Sequence, residues 1–450
     1  MNMLVKIWNR LAERRFGSDE GLLVGTRVVD GQITRKHFRL SQRTRTEHVV
    51  IIGKTGTGKT SLIKSMLEQD IQNGNGFLCI DLHGDLTPFI LGRIAERERR
   101  TRTDLSSRTV IVNPADPSRT VGINVVEASY RSLPVLISEV VAIFRQRWSL
   151  DHFGARTEEL LRNSLWALAE NGMALTDLAP FLTNLAFRAA LVRRVQNEEV
   201  KTYFRERYEQ LSEPMQVIVR EAILNKVTAF TVDPAIRHIV GQRRSTLDLA
   251  DALDQGLWVV LSLQKGRLGD NAEILAALIL AKLKNAIFAR KRRTLFSIYA
   301  DELQNLVSSG DTFEGLLAES RKFGVSVVTA NQHLQQYPIR VRAALFSAGT
   351  SVFFRSSPED VPRISTALDG PQSIERLLKE LPNRHFLLRT GNEHVVELAA
   401  PIVVAATQST SSLTERASRF WARPREAIES EIREGTARKG SGREPLDQWK

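Results

Sequence analysis

The chain has 450 residues, with 63 Lys and Arg against 51 Asp and Glu, a formal net charge of +12. This length buries a large core over two or three domains, and apolar runs such as Ala276 to Ala281 are far shorter than the ~20 residues of a bilayer span. The basic excess favours a polyanionic partner or an acidic protein surface, while its even spread also fits a solvated surface. The single cysteine, Cys79, excludes a disulfide framework and a cysteine-based metal cluster, and fits a reducing cytoplasm.

In chain order, Leu4, Ile7, Trp8 and Leu11 recur at helical spacing opposite Lys6, Arg10, Arg14 and Arg15. Such a helix docks on its own domain or a neighbouring subunit, or rests on an anionic membrane surface; the second reading places the protein peripherally at the inner membrane face. Gly21 to Leu40 reads as short strands around Asp30-Gly31, a small platform before the first core strand. Then Val49 to Ile52, a β-branched strand, feeds Gly53-Lys54-Thr55-Gly56-Thr57-Gly58-Lys59-Thr60, followed by a helix from Ser61. This is G-x-x-x-x-G-K-T in its required strand–loop–helix setting. The glycines let successive N–H groups converge on phosphate oxygens, beside the positive end of the helix. Lys59 reaches the β- and γ-phosphates of ATP, and the Thr60 hydroxyl ligates Mg²⁺.

Phe77 to Asp81 is the second strand, ending in Asp81-Leu-His-Gly-Asp85. Polar residues at such strand ends are where α/β folds place their sites. Asp81 either holds a Mg²⁺-bound water or serves turn chemistry, with Asp85 capping the next helix. A third strand spans Thr109 to Asn113. From Ser132 to Gln242 apolar residues recur at three and four, as in Leu136, Val140, Ile143 and Phe144, which predicts an all-helical domain inserted into the α/β fold. Trp148, His152 and Trp166 within it are assigned no chemistry. A strand at Leu257 to Leu263 precedes Lys265-Gly-Arg267 and a helix from Glu273 to Arg290.

Leu295 to Ala300 is an apolar strand ending in Asp301-Glu302, a Walker B pattern. Asp301 orients a water on Mg²⁺, and Glu302 polarises the attacking water. A helix from Phe313 to Phe323 carries Arg321, and the strand Val325 to Thr329 delivers Gln332, an amide placed to sense the γ-phosphate or the water. Arg321 and Gln332 lie at opposite ends of one strand, so Arg321 suits a neighbour's nucleotide better than its own; the alternative is a surface salt bridge with Glu319 or Glu314. Further expected elements are a strand at Ser351 to Arg355, a helix at Asp360 to Leu368 and a hairpin from His385 to Leu398 around Thr390-Gly391-Asn392. A Ser/Thr linker, a helix from Leu413 to Arg433 and a Gly/Arg/Lys tail close the chain.

The set Gly53–Thr60, Asp81–Asp85, Asp301-Glu302-Leu-Gln304-Asn305, Glu319–Gly324 and Ala330-Asn331-Gln332 resembles the HerA/FtsK class of P-loop ATPases, and within it the TraG-like coupling-protein branch of type IV secretion and conjugation. The resemblance runs from about Thr46 to Ile402. It implies a RecA-like α/β motor with a mainly parallel sheet and an inserted all-α domain, assembling as a hexameric ring around DNA. By it, Lys59, Glu302, Gln332 and, in trans, Arg321 are the catalytic set; Gly53 to Ser61 bind ATP; Thr60 and Asp301 serve Mg²⁺; and Arg355 is a second arginine. The expected domains are 1–45, 46–131 (motor), 132–242 (helical), 243–405 (motor) and 406–450. Membrane-bound coupling proteins carry transmembrane helices where this chain has only Met1 to Arg45, and HerA has a β-barrel domain there that this segment is too short to form.

The expected function is a ring-forming, DNA-dependent ATPase that moves DNA, with DNA held by Lys265, Arg267, Arg340 and Arg342 and with a relaxase, secretion channel or nuclease as partner. The alternatives are a nucleotide-gated scaffold for a nuclease or effector, and an ATPase energising protein secretion.

Overall fold

The computed structural model describes residues 20–127, 133–147, 154–302, 310–337, 339–368, 372–391 and 395–437. The predicted N-terminal helix, Trp148, His152, Gln304, Asn305, Asn392 and the terminal tail lie outside them. The described residues fall into two compact units. One takes residues up to 109, 253–260 and 290–414; the other takes 110–252, 261–289 and the chain from 415. This division differs from the predicted boundaries at 132 and 242, because the second unit also draws in the stretches flanking the helical region and the C-terminal helices.

The first unit is built on a sheet whose strands, in chain order, are β1 (Leu22–Val29), β2 (Gln32–Leu40), β3 (Val49–Ile52) and β4 (Gly76–Asp81). Strands β5 (Thr109–Val112) and β6 (Arg119–Thr120) follow towards the second unit, and then β7 (Trp258–Ser262), β8 (Phe296–Asp301), β9 (Val325–Asn331), β10 (Thr350–Phe354), β11 (His385–Thr390) and β12 (Val396–Ala399). From β2 to β7 the order in space is β2-β1-β12-β11-β10-β3-β9-β8-β4-β7. From β10 through β3, β9 and β8 to β4 every pairing is parallel, and these strands are buried along nearly their whole length, as in a sheet covered on both faces. The pairings from β10 to β2 are antiparallel. The strands expected on either side of Asp30-Gly31 are β1 and β2; β1 pairs with β12, Thr26 opposite Ala399, so they extend the main sheet.

One face of the sheet carries the helix Lys59–Asn73, which buries Leu62, Ile63, Met66, Leu67 and Ile71 against Cys79, Tyr299 and Val328. Ser297, Tyr299 and Asp301 share that face of β8 by the period of two. Near the helix C-terminus the buried guanidinium of Arg45 forks onto both oxygens of Asp70, at 2.7 and 2.6 Å, and Tyr299 and Asn75 donate to the same carboxylate.

The second unit is helical over Leu133–Arg147, Ala155–Glu170, Leu178–Thr183, Leu185–Arg194, Glu213–Thr231 and Asp270–Phe288, among shorter turns. Trp166 donates to Glu170 Oε1, four residues on in its own helix, at 2.8 Å. The predicted single C-terminal helix is two, Ser411–Trp421 and Arg425–Ala437, split by β13 (Arg423–Pro424). Pro424 cannot donate to a helix ladder; this segment pairs with β6 instead.

Candidate nucleotide-binding site

The site is assembled at the C-terminal ends of β3, β4, β8 and β9, the side of an open α/β sheet where ligands bind. β3 runs straight into the loop. Gly53 N–H donates to Asn331 O at 3.1 Å and Lys54 N–H to Arg355 O at 2.9 Å, so the loop starts as an extension of the sheet. A side chain at Gly53 would meet Phe354 Cβ at 2.5 Å, which excludes any larger residue there. Gly58, at φ +116°, is the residue from which the helix Lys59–Asn73 starts. Thr57, buried, donates to Lys54 O at 2.7 Å and fixes the loop's inner curve.

Lys59 is 7% exposed. Its ammonium donates to Gly53 O and Lys54 O, at 2.7 and 2.9 Å, and so lies across the concavity of the loop. Burial lowers its pKa, and Asp301 and Glu302 oppose that shift. Thr60 donates to Asp301 Oδ2 at 3.1 Å. Burial raises the Asp301 carboxyl, against the Thr60 hydrogen bond and the Lys59 charge. Hydroxyl and carboxylate oxygens side by side form a hard donor set of the kind Mg²⁺ takes.

Glu302 sits just past β8 with φ +56°, the left-handed region that non-glycine residues occupy at a cost and chiefly at functional sites. Its backbone N–H still reaches Ala330 O at 2.8 Å, so the strained conformation is pinned. Its carboxylate is held from two sides: Gln332 Nε2 donates to Oε1 at 2.7 Å, and His83 Nε2 lies 2.9 Å from Oε2. The carboxylate, the amide and the loop lysine thus converge, and His83 joins them without having been singled out. Its signal was its place in Asp81-Leu-His-Gly-Asp85, quoted as a motif with no role for the imidazole.

Asp81 makes the turn contacts that one of its two readings expects. Its Oδ1 accepts from Gly84 N–H at 2.8 Å, and Oδ2 accepts from Thr87 N–H and Oγ1 at 2.7 and 2.6 Å and from Leu86 N–H at 3.2 Å. Both oxygens are taken up in building a turn and starting the helix Thr87–Thr101, so Asp81, and not Asp85, supplies the capping carboxylate. Among the described residues no group of three or more His, Cys, Asp or Glu could hold a metal by itself.

Arg321 lies in a 3₁₀ turn, Ser320–Phe323, before β9, at the opposite end of that strand from Gln332. It is 52% exposed and pairs with Glu47 at 2.8 Å, and not with the Glu319 or Glu314 of the alternative reading. Arg355 follows β10 and donates to Asn383 at 3.1 Å. Next to Asn383, Arg384 donates its backbone N–H to Thr57 O at 2.8 Å, a support for the loop that no local pattern announces. Of the predicted DNA contacts, Lys265 pairs with Glu273, which also holds Arg147 at 2.8 Å. Arg267 is exposed and donates to Ala115 O at 3.3 Å. Arg340 is exposed and Arg342 half-buried on the helix Ile339–Phe346.

The sequence profile of the type IV secretion-system coupling protein DNA-binding domain matches residues 36–381. The chain belongs to that family. Among solved structures, the plasmid coupling protein TrwB, in complex with the non-hydrolysable GTP analogue GDPNP, is 18% identical, with a TM-score of 0.62 over 88% of this chain and 99% of that one. TrwB in complex with ADP and Mg²⁺ is 16% identical with a TM-score of 0.61, over 88% and 93%. VirB4 of Thermoanaerobacter pseudethanolicus is 16% identical with a TM-score of 0.59, over 86% and 98%. At these identities the likeness is one of fold, and it is the RecA-like P-loop fold with a helical domain. Among curated proteins none matches. This member of the coupling-protein family is thus a P-loop NTPase, and among its described residues no helix is long and apolar enough to cross a membrane.

Proposed function

We propose that this coupling-family chain hydrolyses ATP with Mg²⁺ and uses the cycle to move DNA through a ring of its own copies. The observation that carries the reading is the meeting of Lys59, Thr60, Asp301, Glu302 and Gln332 at the ends of three adjacent parallel strands and the helix after β3. The DNA-binding domain family that matches residues 36–381 supplies the polyanion that the +12 charge suits.

The Lys59 ammonium, now on two loop carbonyls, is within reach of phosphate oxygens placed in the same concavity. Thr60 and Asp301 would hold Mg²⁺, which when bound neutralises charge on the β- and γ-phosphates. Glu302 accepts the proton of the attacking water, and Gln332 holds one oxygen of its carboxylate. Arg321, at the far end of β9, serves the next subunit; in a head-to-tail ring each copy shows a different face to each neighbour. An arginine supplied in this way is worth ~10³ or more in rate. The exposed pair it makes with Glu47 costs about 0–1 kcal/mol to give up.

ATPase rate with and without DNA tests the reading. Strong stimulation by DNA is expected; tight nucleotide binding with little turnover would make the protein a scaffold, and indifference to DNA would remove the motor assignment. Arg321→Ala subunits mixed with Lys59→Ala subunits, each inactive alone, should regain activity, because an intact loop can then face an intact arginine. No recovery in rings shown to be mixed would remove Arg321 from the mechanism.

A further inference from the structure

We propose that His83 is a positioning residue for hydrolysis, and that the Asp81–Gly84 turn exists to deliver it to Glu302. The inference rests on the ATPase reading above and adds to it a group on β4 that the P-loop and Walker B patterns do not contain.

The argument starts from the turn. Asp81 is 2% exposed and ends β4, the strand beside β8. Its Oδ1 holds Gly84 N–H at 2.8 Å, closing a tight loop over Leu82 and His83. Gly84 takes φ +87°, which a side chain there would oppose. The other carboxylate oxygen anchors Leu86 and Thr87. The turn is therefore fixed on both sides of His83, and its ring stands at the tip with its Nε2 2.9 Å from Glu302 Oε2. Leu82, its neighbour, is buried and holds the turn to the core, whereas the His83 side chain is 46% exposed. A histidine needed only for packing would be covered; this one is presented.

A carboxylate can only accept, so the Nε2 of His83 carries the proton and donates. The donors on Glu302 then come from two strand ends, His83 after β4 and Gln332 after β9, with Glu302 on β8 between them. Two donors on opposite oxygens determine both the position and the plane of a carboxylate, where one would leave it free to swing. General-base catalysis requires the base to stand within hydrogen-bond reach of one defined proton. The backbone of Glu302 is pinned at φ +56° by its N–H to Ala330 O, and the two side-chain donors carry that fixed geometry out to the carboxylate. Gln332 alone supplies one direction; His83 supplies the second.

The test separates this role from the ATPase reading and from a loss of fold. Wild-type protein and Glu302→Gln are assayed first: turnover in one and none in the other keeps the reading, and absence of turnover in both overturns it on its own account. His83→Ala should then lower kcat about 10- to 100-fold, the range typical of a residue that orients a reacting group, with nucleotide affinity and KM unchanged and with an unaltered melting temperature. His83→Gln, which keeps an N–H donor, should recover much of that loss. Wild-type kcat in His83→Ala, or equal loss in both variants, would overturn the proposal. The contact itself is read without turnover: in ¹⁵N-histidine-labelled protein the His83 ring nitrogens should shift on Glu302→Gln, and ring signals indifferent to that change would overturn the proposal even if the enzyme proved inactive.

Discussion

The helix Lys59–Asn73 and strand β8 face each other along their length, and the two ends of that contact are built in opposite ways. At the end of Asp70, the carboxylate is closed: Arg45 takes both its oxygens, and Tyr299 and Asn75 donate to it as well. At the end of Thr60, Asp301 has one hydroxyl at 3.1 Å and a burial that raises its carboxyl above the ordinary range. Ser297, Tyr299 and Asp301 stand on one face of one strand, yet the first two serve a buried ion pair and the third a site left ready to receive charge. The closed end fixes the angle of helix to strand; the open end keeps an electrostatic cost that a bound cation would relieve. Stability and chemistry are thus separated by about one helix length.

The contrast can be broken first at the open end. Glu302→Gln should leave nucleotide binding intact and lower turnover by about 10³-fold or more, in the upper part of the range for a general base, whereas Lys59→Ala should abolish binding; equilibrium binding of a fluorescent nucleotide beside a phosphate-release assay checks both. Neither change should lower the melting temperature appreciably. At the closed end the expectation reverses. Arg45→Met strands the Asp70 charge in the core and should cost about 3–5 kcal/mol of stability, the range for breaking a buried pair, measured by denaturant unfolding. A smaller cost would mean that the closed end is not what sets the helix.

A third test uses pH. His48, buried at the start of β3, accepts from Val327 N–H through Nδ1 at 3.1 Å and so donates through Nε2 to Leu317 O at 2.7 Å. Burial lowers its pKa to about 4, against the pull of the Leu317 carbonyl and with help from Arg321. The folded value lies below the unfolded one of ~6.5, so between them the unfolded chain binds more protons and stability rises with pH. The contribution is complete above the unfolded value and is lost as pH falls towards 4, on the order of 3 kcal/mol. His48→Gln should flatten the slope of unfolding free energy across that window. The smallest effect belongs to the exposed pair: Glu47→Gln should change stability by no more than ~1 kcal/mol, measured by the same unfolding curves, and a larger loss would make Glu47–Arg321 a structural pair.

These regions also differ in how far the sequence reveals them. The loop, Thr60, Asp301, Glu302 and Gln332 were legible because each lies in a short motif at the end of an apolar strand, where local pattern and site coincide. Parallel strands and the helical stretch were legible for the same reason, as apolar runs and three–four spacing. His83 had no role in the sequence reading and Asp81 stood between metal and turn, with Asp85 as the cap: which of two acids caps a turn is decided by where the chain bends, and spacing does not record that. The break before Arg425 is marked by Pro424, which the expectation of one helix from Leu413 to Arg433 passed over. Arg45–Asp70, Glu47–Arg321 and the support of Thr57 by Arg384 join residues far apart in the chain, and no window of sequence contains both partners.

The last of these contacts has a consequence for synthesis. The phosphate loop is completed from both flanks by late residues: Arg355 O receives Lys54 N–H, and Arg384 N–H is donated to Thr57 O. β3 is itself seated between β9 and β10, which leave the ribosome long after it. Residues 53–60 are therefore made early, yet they wait as unfinished chain until Arg384 has emerged. A nascent chain halted before that point carries the whole nucleotide signature and lacks the framework to display it. Competence for nucleotide is in this way deferred until the chain is nearly complete.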